Sequence, residues 1–127
     1  MNSGGVLAVG AGAALGAWLR WGLGALLNPM FPTLPLGTLA ANLSGGYLVG
    51  IAVAYFGQHP GLPPEARLFL ITGFLGGLTT FSTFSAEVVT LIGRAQYLWA
   101  VAMASAHLFG SLLLTGLGIL TVNLFRA

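Results

Sequence analysis

No cysteine occurs in the 127 residues, which removes disulfides, thiolate nucleophiles and cysteine metal sites. The redox compartment therefore leaves no trace in the chain. Lysine is absent too. The basic residues are Arg20, Arg67, Arg94 and Arg126, set against Glu65 and Glu87. Charged side chains make up 5% of the chain, where an ordinary soluble domain carries about 25%. So few charges cannot cover the surface of a soluble fold. The net charge of +2 is scattered, and without basic clusters nothing in the chain grips a phosphate backbone. The start, Met1-Asn2-Ser3-Gly4-Gly5, lacks the basic n-region of a signal peptide. The first apolar run is accordingly expected to be a retained transmembrane helix.

What is present is apolar: hydrophobic residues make up 57%. A spanning helix needs about 20 such residues in a row. Four runs qualify, at about 4–27, 36–56, 66–92 and 97–125. Pro29, Pro32 and Pro35 close the first, because proline cannot continue a helix. Gln58-His59-Pro60-Gly61-Leu62-Pro63-Pro64-Glu65 separates the second from the third, and Gly93-Arg94-Ala95-Gln96 is a short turn before the fourth. The expectation is an all-α membrane protein with a single four-helix domain over 1–127. Loops this short leave function inside the bilayer.

The third run departs from a plain span. Gly76-Gly77 weakens a helix by about 1 kcal/mol per glycine, and the β-branched pair Thr79-Thr80 adds to it. Hydroxyls crowd over Thr79, Thr80, Ser82, Thr83 and Ser85. The pattern predicts a helix broken in mid-membrane. Freed backbone is tolerated there only when buried in protein or lining a polar cavity. Gly12 with Gly16, Gly46 with Gly50, and Gly73 with Gly77 have the spacing that lets helices approach closely in lipid.

Arginines fall about evenly on the two sides of a four-span chain, so the positive-inside rule sets no orientation. Two readings stand: a weakly marked fixed topology, or dual topology with antiparallel pairing. The chain is too small to enclose a polar path alone, which favours a dimer.

No enzyme constellation is visible. Glu65 and Glu87 lie far apart, at or near helix ends, so a paired-carboxylate site is not expected. His59 and His107 lack partners at metal-ligand spacing. Polar residues within the spans are the candidates. Arg20 either snorkels to the interface or stands at an aqueous vestibule that draws anions. Thr38 and Asn42 share one face of the second helix. The Asn42 amide either joins helices or donates to an anion. His107, Ser111 and Thr115 form a polar stripe on the fourth helix, open to structural back-bonding or to a pathway. Phe81 and Phe84 either pack or turn their positive ring edges to an anion, with Ser82, Thr83 and Ser85 beside them. Loose donors suit conduction, because an ion must enter and also leave.

The run Gly73-Phe74-Leu75-Gly76-Gly77-Leu78-Thr79-Thr80-Phe81-Ser82-Thr83-Phe84-Ser85-Ala86-Glu87 resembles the signature of the bacterial fluoride channels, the Fluc or CrcB family. Gly16-Ala17-Trp18-Leu19-Arg20-Trp21, the stretch from Gly37 to Gly46, and Gly110-Ser111 also match. The resemblance implies an antiparallel, dual-topology homodimer in a bacterial inner membrane, with two pathways for passive fluoride export. The resemblance also implies that the exported fluoride enters the cell as the neutral acid. It further implies one structural Na⁺ per dimer on the two-fold axis, held by backbone carbonyls of Gly76 and Thr79. Phe81, Phe84, Asn42, Ser82 and Thr83 correspond to the fluoride path, Thr38 and Ser111 to its polar track, and Arg20 to the vestibule. Two other readings remain: a small multidrug-type proton-coupled exporter, which needs a glutamate the first helix lacks, and a purely structural membrane component.

Overall fold

A computed structural model describes residues 1–126. Among them the regular structure is helical, and four stretches are long and apolar enough to cross a membrane: Ser3–Met30, Leu36–Gln58, Pro64–Gly93 and Tyr97–Leu124. Helix α1 covers Ser3–Leu27 and starts at Asn2, whose side chain accepts from the Gly5 N–H at 2.7 Å. Asn28–Met30 follows as a tight turn with Pro29 at its start. Helix α2, Leu36–Gln58, is preceded by Pro35, which offers no side-chain cap. Asn28 supplies one from a distance: its Oδ1 accepts from the Gly37 N–H at 2.7 Å. That bond ties the end of α1 to the start of α2.

The third span is composite. Helix α3, residues 64–78, opens as Pro64–Arg67, widens into π-type turns over Leu68–Leu75 and closes as Gly76–Leu78. Thr79 (φ −88°, ψ 154°) and Thr80 (φ −149°, ψ 123°) are extended. Helix α4, Phe81–Gly93, then begins with the Thr80 hydroxyl accepting from the Thr83 N–H at 3.1 Å. Helix α5, Tyr97–Leu124, returns across the bundle.

Helix α1 packs along α3, and α2 packs along α5. The paired glycines make both contacts. A Cβ at Gly16 would collide with the Phe74 carbonyl, and one at Gly50 with the Thr115 carbonyl. Without a hydrophobic driving force between helices in lipid, such backbone proximity supplies the packing. Leu75 and Leu78 sit in the core with Ala41, Ala52 and Phe56. Leu91, Ala100 and Met103 form a second cluster where α4 meets α5.

Gly16 fixes the height of α1 against the end of α3. Gly16→Ala is expected to force the two helices apart and destabilise the protein by about 1–3 kcal/mol, the usual cost of overpacking. A lowered melting temperature in detergent is the check. An unchanged one would mean that the backbones need not approach this closely.

Candidate functional site

The extended pair Thr79-Thr80 is held by side chains from three directions. Asn42 on α2 lies beside Thr80 as a neighbouring strand would. Its Oδ1 accepts from the Thr80 N–H at 2.8 Å, and its Nδ2 donates to the Thr80 carbonyl at 3.0 Å. Arg20 on α1 donates from Nε to the Gly77 carbonyl at 3.0 Å. Thr79 folds its hydroxyl back onto the Leu75 carbonyl at 2.8 Å. Its methyl fills the space that Gly45 leaves empty.

These bonds decide which carbonyls are free. In an unbroken helix the Thr80 N–H would close onto the Gly76 carbonyl, and the Thr83 N–H onto Thr79. Here the first donates to Asn42 and the second to the Thr80 hydroxyl. Gly76 and Thr79 are thus released from the ladder, while Gly77 is occupied by Arg20. Gly76 is exposed and Thr79 half-buried, and both line one cavity. Neutral carbonyl oxygens of this kind suit a hard cation. Two per chain are fewer than such an ion's usual complement, so a site built on them needs more oxygens than one chain brings here. Among the described residues no cluster of histidine and carboxylate has metal-binding proximity.

The cavity, of about 440 Å³, runs between α2, the α3–α4 junction and α5. Phe81 and Phe84 line it and meet edge to face, with centroids 5.6 Å apart at 69°. Phe81 is 80% exposed in the single chain. Phe84 also lies against the His107 ring, with centroids 4.5 Å apart. His107 itself is buried, and its Nδ1 is 2.9 Å from Asn42 Nδ2. Ser111 lines the cavity, but its hydroxyl donates back to the Leu108 carbonyl at 3.2 Å. The Thr115 hydroxyl lies 2.9 Å from both the Gly46 and the Ser111 carbonyls. Ser82 is exposed, with Oγ 3.3 Å from the Thr80 hydroxyl.

Arg20, Thr38 and Thr83 gather elsewhere, around a second recess of about 320 Å³ that also takes in Asn28. The residues singled out from the sequence therefore divide between two hollows. Glu87 is the residue that sequence reasoning misplaced. It stands within α4 rather than at a helix end, and its Oε2 accepts from the buried Thr38 hydroxyl at 2.7 Å. Its Oε1 is buried without a partner among the described residues. A readable signal existed: Thr38 and Asn42 are one turn apart on α2, and Thr80 and Glu87 are about two turns apart facing them. His107 stood out only as one member of a stripe.

The chain matches the model of the family described as CrcB-like protein, Camphor Resistance (CrcB), over residues 7–119. It belongs to the CrcB family. Among the proteins it is similar to are three bacterial proteins named "Fluoride-specific ion channel FluC". That of Nitrosospira multiformis is 70% identical over 116 residues, which is 91% of either chain. That of Ralstonia pickettii is 63% identical over 125 residues, covering 98% of this chain and 99% of the relative. That of Thiobacillus denitrificans is 62% identical over 120 residues, covering 94% and 97%. With four spanning helices, this CrcB protein is a multi-pass protein of the bacterial inner membrane. The relatives are named as channels, not as enzymes, and the exporter reading finds no support among them.

Proposed function

We propose that this chain is a fluoride-selective channel that lets cytoplasmic fluoride leave passively. The observation that carries the reading is the likeness, over nearly the whole chain, to relatives whose names specify fluoride. The site adds chemical sense. Fluoride is a small anion that only accepts hydrogen bonds, and the Phe81–Phe84 pair offers positive ring edges beside hydroxyls and no fixed ammonium. Such weak, multiple contacts allow both capture and release.

The working unit is an antiparallel homodimer with two pathways. One chain leaves Phe81, Ser82, Ser85 and Gly76 exposed next to a backbone interruption. Lipid cannot satisfy such a surface, and a second copy turned over in the membrane covers it with its own. The same pairing brings four released carbonyls together, from Gly76 and Thr79 of each copy. They would hold the structural Na⁺, whose charge binds the two breaks to one another. Arg20, Thr38 and Thr83 line the vestibule through which the anion enters. Phe81, Phe84, Asn42, Ser82 and Ser111 belong to the path beyond it. Fluoride that crosses inward as the neutral acid and ionises in the cytoplasm supplies the outward gradient.

The test is efflux from liposomes carrying purified protein. Fluoride is expected to leave, with chloride retained. No fluoride flux, or equal chloride flux, would sink the proposal. Phe81→Ile removes the ring edge while leaving the α-helical backbone in place. It is expected to lower flux at least tenfold with the dimer intact by light scattering. Wild-type flux in that variant would take Phe81 out of the path.

A further inference from the structure

Asn42 makes three hydrogen bonds at once, and together they exhaust its donors. An asparagine amide has two N–H groups and one acceptor oxygen. Its orientation is settled by the backbone: the Thr80 N–H can only donate, so Oδ1 faces it, and the Thr80 carbonyl can only accept, so Nδ2 faces that. The remaining N–H points at His107 Nδ1, 2.9 Å away. Nδ1 must accept, which places the imidazole hydrogen of a neutral His107 on Nε2. Nε2 is buried and has no partner among the described residues. His107 is 4% exposed, lines the cavity and lies against the Phe84 ring, tilted by 35°.

We propose that Asn42 is a positioning residue that joins two functions through one amide: it keeps the Gly76 carbonyl released for the cation, and it sets the His107 tautomer so that Nε2–H is offered to the anion. The proposal rests on the cation reading above. It differs from a role for Asn42 as the anion's own donor, because both of its N–H groups are already bonded to protein. An unpartnered buried N–H costs about 1–3 kcal/mol. An anion passing His107 relieves that cost, while Asn42 stays in place. Without the amide, the Thr80 N–H is free to return to the Gly76 carbonyl and rebuild the helical turn. Cation site and anion donor then fail together.

Two measurements test this. The first uses the wild-type protein with ¹⁵N-labelled histidine, the two signals being assigned by His59→Asn. The expected His107 tautomer carries its hydrogen on Nε2; a hydrogen on Nδ1 overturns the proposal. The second compares melting temperature in Na⁺ and in K⁺ for wild type, Asn42→Ala and Phe81→Ile. Wild type and Phe81→Ile are expected to rise with Na⁺. Asn42→Ala is expected to need at least tenfold more Na⁺ for the same rise. An unaltered Na⁺ response in Asn42→Ala overturns the proposal alone. A wild-type melting point blind to Na⁺ removes the cation reading and this proposal with it. Absent fluoride flux with the Na⁺ response intact removes the fluoride reading only. Should Asn42→Ala fail to assemble, the tautomer decides.

Discussion

Arg20→Lys is expected to lower fluoride efflux by about tenfold to a hundredfold, although it keeps the positive charge. The guanidinium does two things in this fold. It lines the second recess, and its Nε donates to the Gly77 carbonyl at the end of α3. A helix C-terminus carries partial negative charge, which a cation at that point offsets. Lysine brings a charge but no Nε–H in a planar fork, so it does not reproduce the bond. Hydrogen bonds to charged groups contribute about 1.5–3 kcal/mol, and each 1.4 kcal/mol corresponds to about tenfold. Loss of the tie frees the Gly77 carbonyl and unsettles its released neighbours. Ionic strength separates the two roles. Attraction of anions across the vestibule weakens with salt, since the screening length is about 10 Å at 0.1 M. A direct bond is largely insensitive to it. The defect of Arg20→Lys should therefore persist at high salt. Wild-type flux in Arg20→Lys would mean that the charge alone matters and that the bond to Gly77 is incidental.

That bond also marks the limit of what the sequence discloses. The spans were legible because lipid permits few solutions: apolar runs of sufficient length must be helices. Prolines 29, 32 and 35 punctuate the chain where α1 gives way to α2. The glycine pairs announced close contact, and Gly12, Gly16, Gly73 and Gly77 do meet the facing backbone of α1 or α3. The polar candidates were legible by type, since each was an expensive residue in an apolar run. Their partners were not. Arg20 and Gly77 are 57 residues apart, and Asn42 and Thr80 are 38 apart. Nothing local says which carbonyl a guanidinium will reach. The π-type turns over Leu68–Leu75 gave no warning either. That stretch carries no proline, and it packs along α1. The glycine and threonine pairs weakened a helix on paper. What holds Thr79 and Thr80 extended is the set of side-chain bonds from Asn42, Thr80 and Thr79 itself.

Thr38→Val is expected to destabilise the protein by about 1–3 kcal/mol, and Glu87→Leu made in the same chain is expected to recover most of that loss. Thr38 is 5% exposed, and its hydroxyl donates to Glu87 Oε2 at 2.7 Å. Removing one partner of a buried hydrogen bond leaves the other desolvated and unsatisfied, whereas removing both can be nearly neutral. Glu87 already holds one oxygen, Oε1, buried without a partner. Valine at 38 would leave both oxygens in that state. Glu87→Leu alone strands only a hydroxyl, a smaller group to leave unpaired, and is expected to cost less than Thr38→Val. The comparison is a double-mutant cycle on melting in detergent, with an expected coupling of about 0.5–3 kcal/mol for residues in contact. Fluoride efflux of the same four proteins adds the functional half. The second recess is lined by Thr38 beside Arg20 and Thr83. The double variant should therefore stay folded yet conduct less than wild type, because the recess has lost the Thr38 hydroxyl. Additive destabilisation would show that Thr38 and Glu87 do not act as a unit. Full flux in the stable double variant would show that the pair braces α2 against α4 and takes no part in conduction.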